Sequence, residues 1–262
     1  MTAVRHIEMS DKCRLAVEVL GDRSNPPLIF SNSLGTTREM WRSQADALSQ
    51  SHHVILYDTR GHGQSEAPES AYSIDRLSLD VLEIMDTLEI ERALFCGLSL
   101  GGMTGQVLAC KVPARFQKMV LAATSAYMGP PSGWQTRIDT VLRDGMRAIS
   151  DAVRSIWFAP EGQATSQIVE QAVAWFKATD PIGYAGCCAA IRDMDLRGIG
   201  KANTCRTLIL AGEDDMATPP EHAHALKASI ASSELKLMRG GHLLNLEQPA
   251  AFSEALIQFF GD

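Results

Sequence analysis

A serine between glycines, Gly97-Leu98-Ser99-Leu100-Gly101, stands between an apolar run and a segment whose apolar residues recur at helical spacing. A serine alcohol is a weak nucleophile, so attack on a carbonyl needs an exposed oxygen, a base beside it and donors for the oxyanion that forms. A sharp strand-to-helix turn exposes the oxygen, and flanking glycines let the turn close without side-chain collisions. Candidates for the base and its orienting carboxylate lie downstream. Asp215 sits in Gly212-Glu-Asp-Asp215-Met-Ala-Thr-Pro219 and His242 in Arg239-Gly-Gly-His242-Leu-Leu-Asn-Leu-Glu-Gln-Pro249, each just after an apolar run. Glu213 and Asp214 compete for the acid role, and Asp215 has the alternative of capping the helix that follows. Taken together the three residues predict acyl transfer, with Ser99 attacking, His242 carrying the proton and Asp215 orienting the imidazole.

An oxyanion needs two amide donors. The residue after the nucleophile, Leu100, supplies one; the loop Ser31-Asn-Ser-Leu34-Gly-Thr, which follows an earlier apolar run, supplies the other through the Leu34 amide. Asp58-Thr-Arg60-Gly61-His62-Gly63-Gln-Ser65 also carries a histidine and charges, but its glycines after an apolar run read as a tight turn pinned by an Asp58 and Arg60 pair. Trp134 and Trp157 are candidate pocket walls.

The elements that must position these residues follow from periodicity. Candidate strands are 4–9, 15–20, 28–31, 53–57, 93–96, 118–123, 207–211 and 235–238. The first two alternate and predict an antiparallel hairpin, whereas the rest are near-continuous apolar runs, as in parallel strands covered on both faces. Ser73 with Asp75 opens a helix carrying Leu77, Val81, Ile84, Met85 and Leu88, and 100–110 continues from the elbow. Pro219 opens a helix to about Ser229, and Phe252, Leu256, Phe259 and Phe260 stripe the closing helix. The stretch 127–201 contains no strand pattern and reads as a helical cap inserted into a core of 1–126 and 202–262. Within it, Val141, Met146, Ile149, Val153 and Trp157 line one face and Ile168, Val173 and Phe176 another. The expected class is α/β, a mostly parallel eight-stranded sheet with helices on both faces.

With 262 residues, 45% hydrophobic and 21% charged, the chain is an ordinary globular one with a sizeable core. It has no apolar run long enough to span a bilayer and no leader pattern at its start, so the cytoplasm is expected. The six cysteines lack C-x-x-C spacing and read as reduced core residues, and the seven histidines form no metal-binding pattern, so no metal is expected. A net charge of -7 argues against nucleic-acid and anionic-membrane partners, and a monomer or small homo-oligomer is expected.

These motifs resemble the α/β-hydrolase superfamily over nearly the whole chain, including its Ser, acid, His order. More closely they resemble its 3-oxoadipate enol-lactonase family. That likeness rests on Ser31-Asn-Ser-Leu-Gly-Thr in place of the superfamily's usual His-Gly, and on His242-Leu-Leu-Asn-Leu-Glu-Gln-Pro. Trp157-Phe158-Ala-Pro and Gly183-Tyr184-Ala-Gly-Cys-Cys in the cap add to it. The resemblance implies hydrolysis of 3-oxoadipate enol-lactone in bacterial aromatic catabolism through an acyl-enzyme, without a cofactor. The implied substrate carries a carboxylate, which calls for a local cation from Arg137, Arg143, Arg147, Arg154 or Arg192. A carboxylesterase, another lactonase or a C–C bond hydrolase needs the same triad, and a non-catalytic small-molecule receptor is the alternative of another class.

Overall fold

The computed structural model describes residues 3–160, 162 and 164–261; positions 1, 2, 161, 163 and 262 of the expected core and cap lie outside them. Eight strands, β1 (Arg5–Glu8), β2 (Arg14–Leu20), β3 (Pro27–Ser31), β4 (His53–Tyr57), β5 (Ala93–Leu98), β6 (Phe116–Ala122), β7 (Arg206–Gly212) and β8 (Ser233–Met238), form one sheet in the order β1-β2-β4-β3-β5-β6-β7-β8. The pairs β1/β2 and β2/β4 are antiparallel, and every later pair is parallel. Each expected strand is present, with ends displaced by two residues at most.

The continuous apolar runs have a two-sided cause. In β3, β4 and β5, Leu28, Phe30, Val54, Leu56, Leu94 and Cys96 turn into one core, while Ile29, Ile55, Tyr57 and Phe95 turn into the other. Alternation survives, but both faces are covered and so both are apolar.

Around the sheet run α1 (Arg42–Leu48), α2 (Ile74–Thr87), α3 (Leu100–Lys111), α4 (Pro131–Asp144), α5 (Ser150–Trp157), α6 (Ser166–Ala178), α7 (Pro181–Asp193), α8 (Pro220–Ser229), the single turn α9 (Leu244–Glu247) and α10 (Pro249–Gly261). Ser73 caps α2 as its type predicts, its hydroxyl accepting from the Arg76 amide. The α8 start differs by one residue from expectation. A residue before proline is driven out of the helical region, so Pro219 stays extended and Pro220 takes the first helical position.

Between β6 and β7 lie α4 to α7 and no strand among the described residues. The five apolar residues read as one face are divided among three pieces, because Gly145 at φ +77° ends α4 and Met146–Ile149 forms a separate 3-10 turn before α5. In α6 the inward row is Ile168, Ala172 and Phe176, spaced by four, and it leaves Val173 half-buried. No described helix is long and apolar enough to cross a membrane. The six cysteines are free thiols, five of them buried.

Candidate active site

Strand β5 passes directly into α3 through Ser99, whose φ of 57° and ψ of -112° are costly for a residue with a side chain. Hydrogen bonds hold that conformation: the Ser99 amide donates to the Ala122 carbonyl at 2.9 Å, and Thr124 Oγ1 donates to the Ser99 carbonyl at 2.7 Å. The flanking glycines are needed for close approach. A Cβ on Gly97 would lie 2.2 Å from the Gly101 carbonyl oxygen, and one on Gly101 would lie 2.1 Å from that of Ser31. Ser99 is 8% exposed and borders a cavity of about 210 Å³.

Asp215 follows β7 and His242 follows β8, so both belong to the sheet edge at which β5 ends. Their side chains meet: His242 Nδ1 lies 2.9 Å and 3.1 Å from the two Asp215 carboxylate oxygens. A carboxylate only accepts, so Nδ1 carries a proton, and in the neutral form of the ring Nε2 keeps its lone pair. Asp215 also accepts from the Ala217 amide at 2.8 Å, the Thr218 amide at 2.9 Å and Thr218 Oγ1 at 2.8 Å. Burial opposes its charge, but the attraction and hydrogen bond of His242 and the Thr218 donors outweigh it and hold its carboxyl below the ordinary value. Glu213 and Asp214 are exposed, whereas Asp215 is 2% and His242 3% exposed. His242 lines the cavity that Ser99 borders.

Leu34 lines it too, on a loop fixed from several sides. Asn32 donates to the Tyr57 carbonyl at 2.8 Å and accepts from Trp41 Nε1 at 3.0 Å, while its carbonyl takes the Gly101 amide at 3.0 Å. The Ser33 carbonyl accepts from Thr36 Oγ1 at 2.8 Å. Among the described residues neither the Leu34 nor the Leu100 amide has a hydrogen-bond partner, which leaves both available to a ligand oxygen. Ser33, also lining the cavity, has a buried hydroxyl with no partner among the described residues.

The turn at 58–65 is pinned, but not by the expected pair. Asp58 accepts from the Arg38 amide at 2.7 Å, from the Arg38 guanidinium and from the Gln64 amide at 2.9 Å. Arg60 instead holds Asp80 through bonds of 2.6 and 2.7 Å and Asp11 at 2.8 Å. Both partners lie far along the chain, so local spacing could not reveal them.

Trp134 and Trp157 both line the cavity, with Met128, Tyr184 and Met216 beside them. Of the five arginines considered, Arg137 alone lines it. Its guanidinium lies over the Trp134 ring, 5.0 Å from the centroid, and Nη1 is 3.2 Å from Tyr184 Oη; no carboxylate pairs with it among the described residues. Arg143 and Arg192 are instead bound to Asp144 and Asp193. Thr218, Ser33 and Tyr184 join the site without an individual role expected from the sequence; for Thr218 the Asp-x-x-Thr spacing of an Asx-type turn is the available signal. No group of three or more His, Cys, Asp or Glu suited to a metal exists among the described residues.

A family description, the alpha/beta hydrolase fold, matches residues 26–171. The chain is 38% identical to 3-oxoadipate enol-lactonase 2 of Acinetobacter baylyi, covering 90% of this chain and 89% of that protein. Among solved structures it is similar to a hydrolase from Pseudomonas aeruginosa, at TM-score 0.95 and 40% identity over 99% of this chain and 98% of that one. It is also similar to an enol-lactonase from Burkholderia xenovorans, at TM-score 0.93 and 36% identity over 98% of this chain and 100% of that one.

Proposed function

The chain belongs to the α/β-hydrolase family, and from that premise we propose that it is a serine hydrolase opening 3-oxoadipate enol-lactone to 3-oxoadipate, acting in the cytoplasm in aromatic catabolism. The observation that carries the reading is the shared cavity. A strained Ser99, a His242 oriented by buried Asp215, and Arg137, with no carboxylate partner among the described residues, all border one volume sized for a small anionic molecule.

In this mechanism Ser99 Oγ attacks the lactone carbonyl while His242 Nε2 takes its proton, and the Leu34 and Leu100 amides receive the oxyanion. Collapse breaks the ring C–O bond, and His242 returns its proton to the departing enol oxygen. The chain stays attached to Ser99 as an ester. Water, deprotonated by His242, then attacks that ester, and Ser99 Oγ leaves with the proton that His242 returns to it; the enol formed at ring opening tautomerises to the ketone of 3-oxoadipate. Arg137 binds the substrate carboxylate, and helices α4 to α7 act as the cap that closes the site. The test is the hydrolysis rate of freshly generated enol-lactone beside p-nitrophenyl acetate, for wild type and Ser99→Ala. A strong lactone preference abolished in the variant is expected. Ester cleavage without lactone turnover would retain the triad and overturn the substrate.

A further inference from the structure

We propose that His62 is a positioning residue that holds the oxyanion loop in its working shape by accepting a hydrogen bond from the Gly35 amide. The inference rests on the serine-hydrolase reading above and adds a residue to it.

His62 is 1% exposed, and each of its ring nitrogens has one hydrogen-bond partner. Nδ1 lies 3.1 Å from the Arg60 carbonyl oxygen, and the Gly35 amide donates to Nε2 at 2.9 Å. A carbonyl cannot donate, so the proton resides on Nδ1 and Nε2 is an acceptor; a charged imidazolium could not make both bonds. Burial drives the ring the same way, lowering its pKa to about 4 against the opposing Arg60 carbonyl contact and the attraction of Asp180. The ring is therefore neutral, in one tautomer and one orientation.

What it holds is the peptide unit after Leu34. In a trans peptide, C=O and N–H point in opposite directions. Tying the Ser33 carbonyl to Thr36 therefore turns the Leu34 N–H away from the loop's own turn, and tying the Gly35 N–H to His62 fixes the next peptide. Leu34 is clamped on both sides while its amide stays unpaired. Gly35 itself sits at φ +79°, where rotation costs glycine little, so the restraint must come from outside the residue.

The anchor is rigid in turn. Gly61 lies against Gly183 of α7, Arg60 is bound to Asp80 and Asp11, and Ser65 Oγ donates to the Asp58 carbonyl at 2.6 Å. A structural histidine would need none of this alignment with the amide next to the oxyanion donor.

The experiment compares His62→Asn, whose side chain is too short to reach Gly35, with His62→Gln, which restores an acceptor. With p-nitrophenyl acetate and rates normalised to titrated active sites, Asn lowers kcat by about 10–100-fold, a part of what loss of a whole oxyanion donor costs, with KM changed less than about threefold. Affinity for a trifluoromethyl ketone, which forms an oxyanion on Ser99, falls by the same factor, and Gln recovers most of both. Unchanged kcat in folded His62→Asn, a loss confined to KM, or unaltered ketone affinity overturns the proposal. Activity persisting in Ser99→Ala would instead overturn the serine-hydrolase reading beneath it.

Discussion

Arg137→Gln tests the substrate proposal at its most specific point. The guanidinium is half-buried, rests on Trp134 and meets Tyr184, so it is already ordered before a ligand arrives. A hydrogen bond between charged partners in such a site contributes about 1.5–3 kcal/mol, and 1.4 kcal/mol is about a factor of ten. The variant should thus lose about 10–100-fold in kcat/KM for the anionic lactone, mostly through KM because the carboxylate is remote from the reacting bond. The assay pairs the lactone with its methyl ester, in which the anion is masked. Wild type should prefer the acid and the variant should treat the two nearly alike. Arg137→Lys should restore part of the preference, lacking the guanidinium's planar fork. Equal losses on acid and ester would show that Arg137 acts through packing on Trp134, and no loss on either would refute the reasoning.

Stability should depend on His62 protonation. Its folded pKa is depressed from 6.5 to about 4, so its contribution is full above pH 6.5 and is lost as pH falls toward 4; denaturant titrations should show wild type losing about 3 kcal/mol relative to His62→Gln across that window. Gly183→Ala would place a Cβ 2.2 Å from the Gly61 Cα, so α7 must shift, and thermal melts should register a cost of about 1–3 kcal/mol. Gly133→Ala on α4 meets nothing within 4 Å and should raise Tm, gaining about 0.4–1 kcal/mol.

The central strands were legible because burial on both faces left uninterrupted apolar runs, as in His53–Tyr57, and Gly97 and Gly101 marked the elbow by a contact only glycine permits. Pairings across the fold were not legible. Asp58 and Arg60 stand two apart and carry opposite charge, yet Arg38 and Asp80 reach them from other elements with better geometry. Among the cap arginines, composition could not separate Arg137 from Arg143; the choice depends on which side of α4 faces the cavity, and that is set by its packing on α7. Ser33 was hidden for a similar reason, since the absence of a partner is a property of the assembled structure.

The backbone around His242 is tied to the helical segment as well as to the sheet. The amides of His242 and Leu243 both donate to the Trp157 carbonyl at 3.0 Å, and Glu247 Oε1 binds the amides of Gly241 and Ala159 at 2.9 and 3.2 Å. The His242 backbone is thus suspended from the same few residues that end α5. A graft that exchanged α4 to α7 between relatives would unseat the imidazole unless the 157–159 junction travelled with the sheet. Helix α4 reaches the cavity through Trp134 and Arg137 and lies outside that junction, whereas α5 is bound into it where it ends.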